Sequence, residues 1–203
     1  ASMSNLSDQY LSYEKLLSES SEKMVWPELP ENTAAGLCYT SGTTGNPKGA
    51  LYSHRSTVLH ALTISLNMGL YLGNGKKVLP VVPLFHVNAW GLPYAAPLTG
   101  TSLIFPGPNL DGASLFKLMD HENVNSAWGV PTVWLGLLGE IRKQGKAPSQ
   151  FQNVVIGGSA APKSMIEEFE SLGITVCHAW GMTEMSPVGT QGFLPQPMTK
   201  LLS

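Results

Sequence analysis

Up to residue 33 the chain is polar, broken only by the amphipathic stretch YLSYEKLLSES (10–20) and a proline-punctuated link, WPELPENT (26–33). From residue 34 short apolar runs alternate with longer stretches of helical periodicity. AAGLCYT (34–40), TSLIF (101–105), VNSAWGV (124–130), FQNVVIGG (151–158) and ITVCHAW (174–180) are largely apolar and predict buried strands. KKVLPVVPLF (76–85) predicts an extended segment. Ser53 is placed to cap a helix running to Leu72, and Asp111 opens another over DGASLFKLMDHEN (111–123). A third helix follows Pro131 through TVWLGLLGEIRKQ, and a fourth, PKSMIEEFESLG, has Pro162 near its start and Gly173 past its end.

Strands that are apolar along their length, alternating with helices, indicate an α/β fold: a layered, largely parallel sheet flanked by helices. The expected organisation is a polar N-terminal segment and linker (1–33), one folded region (34–192) and a tail (193–203). The Gly- and Pro-rich end, GTQGFLPQPMTKLLS, carries no predicted closing element, as if cut from something longer. There is no internal repeat.

Composition adds limits. Of the 203 residues 43% are apolar and only 13% charged, so most of the chain is expected to be packed. Lys and Arg total 12 against 14 Asp and Glu, a formal net charge of -2, which gives no electrostatic case for nucleic acid or an anionic membrane as partner. No apolar run reaches membrane length, and ASMSNLSDQY does not read as a signal peptide. The only cysteines, Cys38 and Cys177, lie in apolar runs and suggest a reducing compartment, hence a cytoplasmic protein.

The candidate chemistry starts at YTSGTTGNPKG (39–49). Against a generic phosphate loop, Pro47 stands where the second Gly is required, and it pushes Asn46 away from helical angles. The stretch therefore reads as a flexible loop after a strand. Its hydroxyls (Thr40, Ser41, Thr43, Thr44), backbone N–H groups and the Lys48 charge suit a pyrophosphate, although a plain surface turn fits the composition equally well. His86 and Trp90, four apart, share a face if HVNAWG opens a helix. From spacing alone a core His beside a packing Trp is the simpler reading. GGSAAP after a strand approximates a nucleophile elbow at Ser159, but the only acids and imidazole nearby (Glu167, Glu168, Glu170 and His178) lie on the next helix and strand, which leaves little room for a hydrolase triad. His54, His60 and His121 have no such context and read as structural.

Taken together, YTSGTTGNPKG, PLFHVNAWG (83–91), GGSAAP (157–162) and HAWGMTE (178–184) resemble, in order and spacing, the signature motifs of the adenylate-forming superfamily. CYTSGTTGNPKG, GVPTVW and HAWGMTEMSP most resemble bacterial medium- and long-chain fatty acyl-CoA synthetases and 3-methylmercaptopropionyl-CoA ligases. The resemblance implies an ATP-dependent acyl-CoA synthetase that converts a fatty or methylthio-alkanoic acid to an acyl-adenylate and then to acyl-CoA, using ATP, Mg²⁺ and CoA. It implies that Thr40, Ser41, Gly42, Thr43, Thr44 and Lys48 hold the β- and γ-phosphates. Thr183 would bond the α-phosphate and Glu184 would ligate Mg²⁺. Trp180 and Gly181 would lie against adenine, with His178 and Ala179 at its edge and Gly158, Ser159, Ala160 and Ala161 as the other wall. His86 would stand beside the reacting carboxylate and Trp90 would wall the acyl pocket.

The family's Thr-Gly-Asp motif, the Arg after it and the C-terminal domain with its Lys have no match here. The expectation is thus a central slice of the large N-terminal domain, with 34–192 a partial AMP-binding domain and the 203-residue chain an incomplete, inactive portion. A homodimer is compatible with the intact protein. A non-catalytic nucleotide- or acyl-binding module, or a serine hydrolase using Ser159, are the alternatives.

Overall fold

The computed structural model describes residues 11–41, 45–68 and 71–192. The chain divides into two compact units between Pro30 and Glu31. The first contains helix α1 (Tyr13–Glu19), capped by the Ser12 side chain and burying none of its residues.

The second unit begins with a surprise. AAGLCYT is a strand, β1 (Ala34–Thr40), but not a buried one: only Cys38 is fully covered. It pairs antiparallel with β2 (Lys48–Ser53), where the sequence predicted only loop, and this two-stranded sheet is separate from the main one. Helix α2 (His54–Asn67) follows directly, with Ser53 and Ser56 forming the predicted cap reciprocally; it ends before Leu72. Of the extended run 76–85 only β3 (Lys77–Pro80) is strand. The HVNAWG segment contains α3 (Val87–Trp90), a single turn wound in the left-handed sense, and after Gly91 comes α4 (Leu92–Thr99), which the sequence reading missed.

The remaining elements follow the predicted rhythm. They are β4 (Ser102–Leu103), α5 (Gly112–Glu122) capped by Asp111, β5 (Ser126–Gly129), α6 (Pro131–Gln144), β6 (Asn153–Ile156), α7 (Lys163–Ser171) and β7 (Thr175–Gly181). A 3-10 turn (Thr183–Met185) then leads to β8 (Val188–Gly192). This last strand corrects the expectation of an end with no closing element, because it lies antiparallel along β7.

The main sheet has six strands in the order β4-β3-β5-β6-β7-β8, all parallel except β8. Alternate residues of each strand enter opposite cores. Leu79, Ala127, Val154, Ile156 and Val176 pack under α5, α6 and α7 with Trp134, Leu137 and Phe169. Val78, Trp128, Val155 and Cys177 pack under α2 and α4 with Ile64, Met68 and Leu92. Burial on both faces explains the unbroken apolar runs, since a strand between two helical layers has no polar face to offer.

Candidate active site

The carboxyl ends of β5, β6 and β7 carry a cavity of about 320 Å³. This is where open α/β sheets place ligands, because the chain leaves each strand there and the loops diverge. Its lining draws on α2, the α3 turn, the loop after β6 and the run from Ala179 to Gln191. Of the residues expected at a site, it brings together His86, Trp90, Gly158, Ala179, Trp180, Gly181, Thr183 and Glu184. Ser159, Ala160, Ala161 and His178 lie outside the lining. Thr40, Ser41 and Lys48 lie outside it as well, at the end of the hairpin, and Gly42, Thr43 and Thr44 fall outside the described residues.

Lys48 does not sit in a loop: it opens β2 opposite Thr40, whose hydroxyl donates to the Lys48 carbonyl at 3.5 Å. Two polar contacts tie this hairpin to the cavity wall. Cys38 Sγ donates to Asn88 Oδ1 at 3.7 Å in the α3 turn, and the buried Tyr52 hydroxyl donates to the Thr183 carbonyl. Burial, with Cys38 and Glu184 nearby, pushes the Tyr52 pKa well above the usual phenol value, so it remains a donor.

The α3 turn reverses the expected geometry of His86 and Trp90. Val87, Asn88, Ala89 and Trp90 have φ of 53, 51, 46 and 56°, a run that costs L-residues about 1–2 kcal/mol each. Burial of Val87 and Ala89 and the Asn88 contact offset that cost. The two side chains therefore share the cavity through a left-handed turn, and the same-face argument for a right-handed helix does not apply. His86 is exposed at the start of the turn, and Trp90 is half-buried.

Glycine spacing shows what fills the cavity wall. A Cβ on Gly157 would stand 3.0 Å from both the Trp90 ring and the Ala179 carbonyl, so this glycine makes room for Trp90. At Gly181 a Cβ would stand 2.1 Å from the Pro187 carbonyl, so there the chain's own backbone takes the space. Trp180 keeps 53% of its surface exposed, leaving the indole available to a planar ligand. Thr183 is buried and Glu184 exposed at the cavity edge, with no ion pair among the described residues.

Sequence reasoning missed two cavity residues with polar side chains. His60, read as structural, lines the cavity from α2, and Gln191 lines it from β8. His60 gave only a weak signal, an imidazole on an otherwise apolar helix stretch, and Gln191 lies in the Gly- and Pro-rich end, where the sequence predicts no strand. Ser159 is exposed and hydrogen-bonded to no imidazole among the described residues, which leaves its hydroxyl without a base.

Similarity to known proteins extends along most of the chain. The chain is 55% identical over 181 residues to a medium-chain-fatty-acid–CoA ligase of Ectopseudomonas oleovorans, covering 89% of the chain and 33% of that protein. It is 49% identical over 189 residues to a 3-methylmercaptopropionyl-CoA ligase of Ruegeria pomeroyi, covering 93% of the chain and 34% of the relative. With a long-chain-fatty-acid–CoA ligase of Thermus thermophilus it shares 48% identity over 192 residues, 95% of the chain and 35% of the relative. The chain thus spans about a third of the length of these relatives. Among solved structures, o-succinylbenzoate CoA synthetase from Bacillus subtilis in complex with an acyl-adenylate intermediate superimposes with a TM-score of 0.78 at 25% identity, over 93% of the chain and 38% of that structure. A long-chain-fatty-acid-CoA ligase from Archaeoglobus fulgidus gives a TM-score of 0.78 at 23% identity, over 92% and 39%, a likeness of fold. The model of the AMP-binding enzyme family matches residues 3–202, and the chain belongs to that family.

Proposed function

We propose that this chain forms the nucleotide- and acyl-binding wall of an ATP-dependent acyl-CoA synthetase acting on a fatty or methylthio-alkanoic acid. One observation carries the reading: a single cavity joins the Trp180–Glu184 segment to His86 and Trp90, so an adenine-side wall and an acyl-side wall meet in one space. In the proposed reaction a carboxylate attacks the α-phosphorus of ATP and releases pyrophosphate, and the CoA thiol then displaces AMP. Catalysis of that kind rests on positioning and charge neutralisation.

Each residue then has a role set by its place. The exposed Trp180 face stacks on adenine, with Ala179 and Gly158 flanking it. Thr183 positions the α-phosphate, held from behind by Tyr52 through its carbonyl. Thr40, Ser41 and Lys48 hold the outer phosphates from the hairpin end, and His86 orients the carboxylate while Trp90 walls the chain. Glu184 suits Mg²⁺: it is one exposed carboxylate, no group of three metal-ligating side chains exists among the described residues, and a magnesium ion takes its other ligands from phosphates and water. When bound, that ion would neutralise phosphate charge.

No helix among the described residues is long and apolar enough to cross a membrane, and cytoplasmic placement belongs to the proposal. For the 203-residue chain by itself the proposal is binding without turnover, since it holds no Thr-Gly-Asp sequence. The test uses a chain of the relatives' full length carrying these residues, incubated with ATP, Mg²⁺, CoA and a medium-chain or methylthio acid. Acyl-CoA and AMP should form in equal amounts. ATP hydrolysis without acyl-CoA, or no reaction with any carboxylic acid, would refute the reading.

A further inference from the structure

Two buried polar atoms on cavity-lining residues have no role in the reaction just described. Among the described residues, His60 Nε2 and Gln191 Oε1 are the buried side-chain atoms with no hydrogen-bond partner, and both residues line the same cavity. Around them the wall is apolar, formed by Ile64, Trp128, Val155 and Val188. A buried donor or acceptor left unpaired is rare, because its desolvation is not compensated.

Both side chains are held in place. His60 is 7% exposed, and its ring lies against Gly91, where a Cβ would come within 2.4 Å of Nδ1. Burial lowers its pKa to about 4, so the ring is neutral near pH 7 and offers one N–H and one lone pair. Gln191 pairs with Ala179 across β7 and β8, and cross-strand partners share a face, which puts it on the cavity side. The Cys177 thiol lies beside the Gln191 amide, burial pushes that thiol up to about 11, and the amide Oε1 has no partner.

A neutral ring nitrogen and an amide oxygen, both on residues that line one largely apolar space, match a group that both accepts and donates. We propose that His60 and Gln191 form a polar subsite in the acyl cavity, selecting carboxylic acids whose chain carries a hydrogen-bonding heteroatom, a hydroxyl above all, over plain alkyl acids of equal length. This rests on reading the cavity as the acyl site. A plain alkyl chain would fill the space and leave both atoms unpaired. A hydroxylated chain satisfies them, and sites built to bond a hydroxyl discriminate strongly against its absence.

The test measures binding to the 203-residue chain by calorimetry, comparing an ω-hydroxyalkanoate, a methylthioalkanoate and an alkanoate of equal chain length. The hydroxy acid should bind at least about tenfold more tightly than the alkanoate, with the weaker-accepting thioether between them. The ¹⁵N resonance of His60 Nε2 should shift with the hydroxy acid and stay in place with the alkanoate. His60→Leu should reduce the preference to within about twofold, and Gln191→Leu, measured separately in case the first variant fails to fold, should at least halve it. Equal binding of hydroxy acid and alkanoate overturns the subsite while leaving the acyl-site reading intact. A preference that persists in a folded variant overturns the assignment to these residues. Failure of every acid to bind overturns the acyl-site reading and the subsite with it.

Discussion

Replacing Tyr52 by Phe removes one oxygen from the junction between the hairpin and the Thr183–Met185 turn. Tyr52 is 5% exposed and packs with Cys38 and Val87, so the ring stays in place and only the bond to the Thr183 carbonyl is lost. That carbonyl belongs to a residue 8% exposed, where water replaces the hydroxyl poorly. Leaving a buried acceptor unpaired costs about 1–3 kcal/mol. For a domain of this size that is a drop in Tm of about 2–12 °C. The pH dependence gives a second readout. Because the folded-state pKa of Tyr52 is raised, its contribution is complete below the unfolded value near 10 and is lost as pH rises beyond it. The gap between wild type and Tyr52→Phe should therefore be constant at pH 7–9 and narrow above pH 10. In a full-length enzyme the variant should also raise the ATP requirement more than the acid requirement, since the freed turn carries Thr183 and Glu184. Thermal unfolding by circular dichroism, repeated at pH 8 and 10.5, is the assay. A Tm within 1 °C of wild type at pH 8 would show that the hydroxyl holds nothing, and the argument would fail.

Other expectations concern the same wall. In a full-length enzyme Glu184→Gln should reduce pyrophosphate exchange by orders of magnitude with little change in Tm, whereas Lys48→Ala, losing one exposed and screened charge, should do less. Wild-type exchange in the Glu184 variant would remove that residue from the site. His86→Ala and Trp90→Ala should impair use of the carboxylic acid well beyond any effect on ATP affinity, and equal loss of both would place them on the wrong wall. His60 has a depressed folded-state pKa, so its contribution to stability is present above pH 6.5 and is lost as pH falls towards 4. His60→Leu should flatten the fall in Tm between pH 6.5 and 4.5, and an unchanged acid limb would contradict the burial argument.

Much of the α/β core was legible because its causes are local or uniform. Strands covered on both faces must be apolar throughout, so FQNVVIGG and ITVCHAW announce themselves, and Ser53 and Asp111 cap helices through bonds to residues three positions on. Motif order also pointed to His86, Trp90, Trp180, Thr183 and Glu184 as members of one cavity, and they do line it.

What only the tertiary structure decided lies where distant segments meet. AAGLCYT has the composition of a core strand but finds a hairpin partner in KGALYS and stays largely exposed. Nothing local predicts four L-residues in left-handed backbone at Val87 to Trp90; packing of Val87 and Ala89 holds them there against their own sterics. The segment Val188–Gly192 carries no strand signal in the sequence, because a run of small and polar residues becomes a strand only by pairing with β7. His60 and Gln191 stand 131 positions apart in the sequence and share a wall because α2 covers the sheet near β8. Periodicity and capping report a residue's near neighbours, whereas an unpaired polar atom in a shared cavity is visible only once the long-range contacts have formed.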